Sequence, residues 1–454
     1  MPTAFAVLAT LILAGSSPAI AAETATAFVD VTIAGLAGHP TLSHQTVVAQ
    51  GGTIRAIGAA GHTGIPRDAR RIDGHGKYLI PGLVDSHVHF WGYLRTAEGN
   101  SDVEKSILNL LLAQGITTAI VMEGSPATLA IRDKVARGIY EGPRIFTSGP
   151  LIQAADTGGL PGRATFSTPE EVSAEVEREH REGFDFVKIH GGMSPDTYRA
   201  LMDTARRVGL PVIGHIPDNL GLQAALESGQ RQITHAESYL QTYFEFDRKL
   251  PTDPDEIARM VAEASERTRK SGAFVAPTLS VFHQIMTQIA DVDSLLTRPG
   301  MRYIPEIAVR EWHPPLNPYV AHFKLTDIPR LEAQYRVMMA LVAGLRRAGV
   351  PLLAGTDDLV PCQLPGYSLQ DEFEQLAAAG LSPREVLETA TVNAARFLDR
   401  PGNTGLVNIG APADLVLLTA DPLDDVDNAF RREGVMAKGV WYSESELRGR
   451  LLAR

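Results

Sequence analysis

The sequence predicts an α/β fold: a parallel (β/α)8 barrel of the TIM type with a small flanking β-sandwich built from both chain ends. Between residues 81 and 401, eight short apolar segments alternate with helical stretches, which is the rhythm of repeated βα units. Short alternating segments separated by Gly and Asp occupy residues 26–80, and similar ones return at 402–450. A length of 454 residues suits one barrel with such an appendage.

The composition is that of a folded enzyme and argues against a nucleic-acid-binding function. Hydrophobic residues make up 44% of the chain and charged residues 21%, which is enough for a sizeable core. The formal net charge is -11 and no basic run occurs, so we expect no nucleic-acid partner. The single cysteine, Cys362, excludes an intrachain disulfide and is expected to be incidental rather than catalytic. Association between copies of the chain is left open.

Residues 1–22 have the features of a secretory signal peptide. An apolar stretch at 4–14 precedes Ala19, Ile20 and Ala21, which fit the small-x-small pattern before a cleavage site. The segment before the stretch has no Lys or Arg, and an uncleaved anchor is the alternative, although the stretch is short for a membrane span. We expect a periplasmic or secreted protein without stable membrane association after cleavage.

The barrel region at 81–401 is punctuated by residues that begin and end helices. Pro169 and Pro195 stand where a first helical turn is expected, and Gly183 and Gly209 stand where helices end. The predicted strands, in order, are LIPGLVDSH, TTAIVME, RIFTSG, FDFVKIH, PVIGHI, QITHAE, FVAPTLS and PLLAGTDD.

Two insertions interrupt this rhythm. One spans residues 239–255 after the sixth strand, and the other spans 282–329 after the seventh. Loops that follow barrel strands cover the catalytic face, so we expect both insertions to form a wall or lid of the pocket.

Polar residues with metal-binding side chains close five of the predicted strands. Residues i and i+2 of a strand share a face, so a pair separated by one residue on the first strand points to one place. Any one of these residues alone is explained by a hydrogen bond in the core, a lysine at the rim or a helix cap. Together they converge, because all strand ends of a parallel barrel meet on one face. The candidate ligands are His87, His89, Lys188, His215, His235 and Asp357.

Two further residues are candidates for binding substrate. His190 lies two positions after Lys188 and shares its strand face, where it would bind substrate or orient a ligand, and a plain rim histidine is the alternative. Tyr239 follows His235 closely and would hydrogen-bond a substrate carboxylate or the tetrahedral intermediate.

These motifs resemble those of the amidohydrolase superfamily, and within it the imidazolonepropionase-related branch that includes Xaa-Pro dipeptidases. The resemblance covers nearly the whole chain after the predicted signal. One departure is that His215 is followed by Ile216 and Pro217 rather than by the small turn familiar in the dipeptidases. The motifs that carry the resemblance are PGLVDSHVH, FVKIH, GHIP, THAE, AGTDD, TVNAARFLD and GLVNIGAPADLVLL.

The resemblance implies a site for two divalent metal ions. His87, His89 and Asp357 would hold the more buried ion, and His215 and His235 the more exposed one. Zinc is the expected metal, since this ligand set suits it without redox chemistry.

The resemblance also implies a hydrolytic mechanism. Lys188 would be carboxylated by CO2 and bridge the two ions, which requires a neutral amine. A metal-bridging hydroxide would attack the scissile bond, and Asp357 would pass its proton to the leaving group.

The expected function is hydrolysis of an amide bond in a peptide-like or N-acyl amino acid substrate. The same site is compatible with a lactone, a cyclic amide or a phosphotriester. A mononuclear deaminase would leave Lys188 without a bridging role, and a non-catalytic ligand-binding protein would have no need of Asp357. No GxSxG elbow occurs, which argues against a serine hydrolase.

Overall fold

The computed structural model describes residues 24–90, 99–154, 163–244, 253–304 and 306–452. The predicted signal peptide and residues 245–252 of the first predicted insertion lie outside these ranges. Within the described ranges, no helix combines the length and apolar character needed to cross a bilayer.

The described residues form strands at both ends of the chain and alternating strands and helices between them. The strands are β1 (Thr26–Ile33), β2 (Leu42–Gln50), β3 (Thr53–Ala59), β4 (Arg70–Asp73), β5 (Tyr78–Pro81), β6 (Leu83–Val88), β7 (Ile116–Val121), β8 (Arg144–Ala154), β9 (Arg163–Phe166), β10 (Phe186–Ile189), β11 (Val212–Gly214), β12 (Gln232–Thr234), β13 (Phe274–Ala276), β14 (Leu415–Leu418), β15 (Arg432–Ala437) and β16 (Val440–Ser443).

The helices fall mainly between the strands of the central region. They are α1 (Ser101–Ala113), α2 (Pro126–Ala136), α3 (Pro169–Glu182), α4 (Pro195–Val208), α5 (Gly221–Glu227), α6 (Glu237–Thr242), α7 (Pro254–Ser271), α8 (Leu279–Leu296), α9 (Glu306–Trp312), α10 (Pro318–His322), α11 (Ile328–Ala348), α12 (Tyr367–Ala378), α13 (Pro383–Thr389), α14 (Val392–Leu398) and α15 (Glu444–Leu452). Short 3-10 turns occupy Pro299–Tyr303, Leu325–Asp327 and Val426–Phe430.

The predicted helix boundaries at α3 and α4 are confirmed. Pro169 and Pro195 are the first residues of these helices, where a missing N–H costs nothing. Gly183 and Gly209 end them with φ of 85° and 80°, a left-handed conformation that glycine adopts without a steric penalty.

The flanking unit combines strands from both chain ends, as predicted, but it is one mixed sheet rather than two separate ones. Its strand order is β16-β15-β14-β5-β1-β2-β3, with β4 paired to β1. Alternate residues of β14 face opposite sides: Leu415 and Leu417 join the core of this unit, whereas Val416 and Leu418 join the barrel core. The sheet is therefore shared by two cores.

The sheet folds back on itself and so has the character of a sandwich. The N–H of Ile54 in β3 donates to the carbonyl of Ala411, and the N–H of Gly410 donates to the carbonyl of Ile54. Phe28 and Trp441 pack edge to face inside this fold, with ring centroids 5.2 Å apart.

Seven parallel strands form the barrel in the order β6-β7-β8-β10-β11-β12-β13, and β9 extends it beside β8. The predicted eighth strand is an irregular segment at 351–358 that closes the barrel through bridges from Leu352 to Val275 and from Asp358 to Val88. It cannot remain extended, because Asp357 has a left-handed φ of 57°.

The first predicted barrel strand is divided between the two units. Leu79, which the sequence pattern placed at its start, belongs to β5 of the flanking sheet, and the barrel strand β6 begins at Leu83. Gly82 separates them because a Cβ at this position would meet Thr117 Oγ1 at 2.0 Å.

Apolar side chains fill the barrel at the amino-terminal ends of its strands. Phe186 and Phe274 pack on Phe397 of α14, with ring centroids 5.4 Å apart in both pairs. This floor leaves the opening of the barrel on the face where the strands end.

Candidate metal centre

All six predicted ligands lie around one cavity of about 850 Å³ at the carboxyl ends of the barrel strands. The strands supply them because a buried polar side chain at a strand end is stable only where it finds a partner. The ligands that line the cavity are His87, His89, Lys188, His215, His235 and Asp357.

Three of these residues already have the geometry of one ion's coordination shell. His87 Nε2 lies 3.2 Å from His89 Nε2, and Asp357 Oδ1 lies 3.0 Å and 2.9 Å from these nitrogens. Ligand atoms that bind one zinc ion at about 2.0–2.1 Å lie roughly 3.0–3.4 Å apart. The triangle therefore fits a divalent cation. His87 lies in β6 and His89 directly follows its last residue, and their Nε2 atoms meet at one place as predicted.

The remaining two histidines continue from this triangle across the cavity. The ring centroid of His235 lies 4.9 Å from that of His87 and 4.8 Å from that of His215. His235 Nδ1 shares a 2.6 Å hydrogen bond with Thr278 Oγ1, which leaves Nε2 as the ligand atom. His235 also groups with His87 and Asp357, since one potential ligand atom of each lies within 4.8 Å of the others.

Lys188 lies among these side chains. Its side chain is buried, and within the described part of the chain its Nζ has no hydrogen-bond partner. Burial lowers the pKa of Lys188 to about 7, and the charge of Asp357 offsets this only in part. The backbone of Gly214, with a φ of 119°, leaves the space, since a Cβ there would lie 2.9 Å from Lys188 Cδ. An available neutral amine is therefore held next to the ligand triangle.

The titration behaviour of the other ligands also suits a metal. Burial lowers the pKa of His87 and His215 well below the ordinary value and that of His235 to about 4, so the imidazoles are neutral. Burial opposes ionisation of Asp357, but the adjacent histidines outweigh it and hold its pKa well below the ordinary value. Neutral imidazoles and an ionised carboxylate are the forms that bind divalent cations.

A buried carboxyl group fixes the two segments that carry this triangle, and the sequence reasoning did not assign it a role. Asp85 Oδ1 accepts from the backbone N–H groups of His87 and Thr356, both at 3.1 Å, and Oδ2 accepts from the Thr356 hydroxyl at 2.7 Å. A Cβ at Gly355 would lie 2.8 Å from His87 Cβ, so glycine permits the close approach of the two segments. Asp85 lies within the motif PGLVDSHVH and Gly355 within the motif AGTDD, so these motifs were the sequence signal for this contact.

Strand ends with unusual backbone angles accompany these contacts. His235, Thr278 and Asp357 all have left-handed φ values, 65°, 48° and 57°. Non-glycine residues keep such angles only where surrounding contacts enforce them, and these positions are frequent in functional sites. The motif order and the converging ligands point to a known hydrolase family.

Residues 78–442 match the profile of the amidohydrolase family. The chain belongs to the amidohydrolase family. An uncharacterized protein of Mycobacterium tuberculosis is 25% identical in an alignment of length 368 that covers 76% of this chain and 80% of that protein.

Solved structures show the shared fold. A Xaa-Pro dipeptidase with methionine bound in its active site has 20% identity and a TM-score of 0.68, covering 92% of this chain and 100% of that one. The bottromycin amidohydrolase has 23% identity and a TM-score of 0.73, covering 94% of this chain and 90% of that one.

The two predicted substrate-binding residues of this amidohydrolase differ in their placement. His190 lines the cavity, with its ring centroid 4.7 Å from that of His215. Tyr239 is fully buried, and its hydroxyl shares a 3.0 Å hydrogen bond with Thr268 of α7. The expectation for Tyr239 is not supported, because helix α6 directs this side chain into the core between helices rather than into the cavity.

The predicted wall of the amidohydrolase cavity is present, but it is helical rather than a loop. The described part of the first insertion contributes Leu240 and Gln241, and α8 and α10 contribute the larger share. Residues from the second insertion that line the cavity are Phe282, Ile285, Tyr319, His322 and Phe323.

Other polar residues of the cavity were not anticipated from the sequence. Glu123 lies after β7 with Oε2 3.3 Å from His89 Nδ1, and Arg163 begins β9. Both line the cavity. Glu123 ends the predicted strand TTAIVME, which was an available signal, whereas Arg163 lies outside the predicted strands and reaches the site only in the assembled barrel.

Proposed function

We propose that this amidohydrolase is an exported enzyme that uses two divalent metal ions, zinc in the simplest case, to hydrolyse an amide bond. As a member of the amidohydrolase family it is a hydrolase acting on carbon–nitrogen bonds. The proposed substrate is peptide-like or an N-acyl amino acid, in line with the resemblance to the Xaa-Pro dipeptidase branch.

The observation that carries the two-metal proposal is the placement of Lys188. A lysine with no hydrogen-bond partner among the described residues is costly inside a barrel, and its lowered pKa of about 7 leaves a substantial neutral fraction. A neutral amine can add CO2 to form a carbamate, whose two oxygens suit a position between two cations. His87, His89 and Asp357 would hold one cation, and His215 with His235 the other.

The metal ions, when bound, supply a water of lowered pKa and polarise the scissile carbonyl. Asp357 is held ionised by its histidine neighbours, and it is the group placed to take a proton from the attacking water. It then gives this proton to the departing nitrogen, so that amide and water yield a carboxylic acid and an amine. Thr278 keeps His235 in one orientation during these steps.

Export is proposed from the amino-terminal sequence. The apolar stretch at 4–14 and the small residues at 19–21 support a cleaved signal peptide. A chain with one cysteine depends on its core and its metal, rather than on disulfides, in an oxidising compartment.

Metal content per chain, measured by elemental analysis on the purified protein, tests the central claim. We expect about two metal ions in the parent and one or fewer in Lys188→Ala, because the variant lacks the bridging group. Lys438→Ala is the matched control: burial also lowers the pKa of Lys438, but its Nζ donates to the carbonyl of Val135 at 3.0 Å. This control should keep both ions and full activity on dipeptides and N-acyl amino acids.

Three outcomes would contradict the proposal in different ways. One ion that Lys188→Ala leaves unchanged would remove the bridge and favour a mononuclear deaminase. Two ions with turnover confined to lactones, cyclic amides or phosphotriesters would move the activity to another bond. No bound metal and no turnover would favour a ligand-binding protein.

A further inference from the structure

The cavity of about 850 Å³ extends well beyond the metal ligands. Volumes of roughly 300–1,000 Å³ accommodate drug-sized ligands. A substrate that fills this cavity is therefore larger than a dipeptide of small residues. Its two sides differ in chemistry, and this difference identifies the parts of the substrate.

One side of the cavity carries an arginine side chain, on the strand that extends the barrel. Arg163 of β9 pairs with Leu151 of β8, and Leu151 pairs in turn with Lys188 of β10. Neighbouring strands lie about 4.8 Å apart, so the Cα of Arg163 lies roughly 10 Å from that of Lys188. Arg163 therefore lies beside the candidate metal ligands but is not one of them.

The head of Arg163 is held in position by a buried neighbour. Its Nη1 donates to Gln153 Oε1 at 3.1 Å, and Gln153 is 1% exposed. Arg163 lines the same cavity as His190 and Lys188. A guanidinium has five N–H donors in a planar fork that matches a carboxylate.

The opposite side of the cavity carries an apolar wall, and Glu237 and Gln241 of α6 line the cavity next to it. Phe282 packs against His235 with ring centroids 6.0 Å apart, and Ile285 and Leu240 line the cavity beside it. Arg163 and this apolar wall thus flank the metal ligands from the β9 side and from the β12–β13 side. A scissile bond at the ligands would extend one substituent toward each.

We propose that Arg163 binds the α-carboxylate of the substrate and that the wall of Leu240, Phe282 and Ile285 accepts an apolar acyl group. In an N-acyl amino acid the carboxylate carbon is three covalent bonds from the scissile carbonyl carbon, within about 4 Å. The substrate class is then N-acyl amino acids with a large apolar acyl chain. This inference rests on the proposed amide hydrolase function and narrows it.

Matched amides with and without the carboxylate test the role of Arg163. Decanoyl amides of glycine, leucine and phenylalanine are compared with the decanoyl amides of methylamine, isoamylamine and phenethylamine, which lack only the carboxylate. In Arg163→Met we expect kcat/KM for the amino acid members to fall about 10- to 150-fold, mainly through KM, because a charge-assisted pair is lost. The amine members should be unaffected, and Arg163→Lys should restore part of the loss.

Arg330→Met is the control. Arg330 lines the same cavity from α11, but its side chain is 48% exposed and lies 3.6 Å from Asp327. This variant should change kcat/KM by less than about threefold, since exposed pairs contribute little. Calorimetric titration of metal-depleted protein with N-decanoylleucine gives a second readout, in which only Arg163→Met should weaken binding.

The acyl wall is tested in the parent with acetyl to decanoyl chains on one amino acid. We expect about a fourfold gain in kcat/KM for each CH2 that is buried. Equal losses on both members of a pair in Arg163→Met, or no loss on either, would overturn the assignment of Arg163 while leaving amide hydrolysis intact. A flat response to chain length would overturn the assignment of the wall. If the metal-loaded parent hydrolyses none of these amides but does hydrolyse dipeptides, only this substrate class fails; if it hydrolyses neither, the proposed function fails as well.

Discussion

Asp85 joins the two barrel segments that carry His87 and Asp357, and its removal should separate them. Its carboxyl group accepts three hydrogen bonds, two from backbone N–H groups and one from the Thr356 hydroxyl. Asp85→Ala would leave the two buried N–H groups without a partner and the Thr356 hydroxyl with only its 3.4 Å contact to the carbonyl of His87. Each of these losses costs about 1–3 kcal/mol, and a water molecule entering the vacated space would recover part of this. We expect a net loss of about 3–5 kcal/mol in the free energy of unfolding.

Asp85→Asn is the matched comparison. Burial raises the pKa of Asp85 to about 7, so the native carboxyl group is largely neutral at pH 6. The amide oxygen of the asparagine can accept from both N–H groups, and its NH2 can donate to the Thr356 hydroxyl. We expect a cost of about 1 kcal/mol or less for this variant.

Urea unfolding of metal-depleted protein at pH 6 measures the difference. With metal removed, the change in midpoint measures the stability that the hydrogen bonds of Asp85 contribute, without the free energy of metal binding. The reasoning is refuted if the midpoint of Asp85→Ala falls no further than that of Asp85→Asn.

Two further predictions concern the orientation of a ligand and a buried acid. Thr278→Val removes the hydroxyl that shares a hydrogen bond with His235 Nδ1, so the affinity for metal should fall about 10- to 100-fold. Thr278→Ser keeps a hydroxyl and should keep the affinity of the parent. Competition with a chelator measures the affinities, and equal values for the two variants would contradict the prediction. Burial raises the pKa of Glu372 to about 8, against about 4.3 in an unfolded chain, so the folded state keeps a proton that the unfolded state has lost. Stability should therefore fall as pH rises from about 4.3 to about 8, by up to about 1.4 kcal/mol per pH unit. In urea midpoints at pH 5 and 8.5, Glu372→Gln should remove the contribution of Glu372 to this slope and leave that of Asp85, whose pKa burial also raises. A slope equal to that of the parent would contradict the prediction.

The convergence of the six candidate ligands on one cavity was predictable from the sequence because each of them ends an apolar run. Burying His, Lys or Asp at the end of such a run is costly without a partner, and a parallel barrel gathers all strand ends on one face. The same logic failed for Tyr239. This residue lies in α6, where the helical repeat and not the strand alternation sets its direction, and its hydroxyl meets Thr268 from another helix.

The substrate side of the cavity was not readable in this way. Arg163 reaches the cavity because β9 adds to the barrel edge beside β8, a pairing between segments that no local pattern specifies. The apolar wall comes from α6 and α8; α6 packs against α11, and α8 packs against α11 and α12.

The sequence by itself determined the barrel, a flanking β unit built from both chain ends and the convergence of six candidate ligands, since these follow from local periodicity and the cost of burying polar groups. Tertiary structure decided the irregular eighth strand, the hydrogen bonds through which Asp85 joins two barrel segments, and the positions of Arg163 and the apolar wall in the cavity. These features depend on contacts between residues far apart in the chain, such as the 271-residue separation of Asp85 and Thr356. Local periodicity records which face of a segment is buried, but it does not record which distant segment will cover that face.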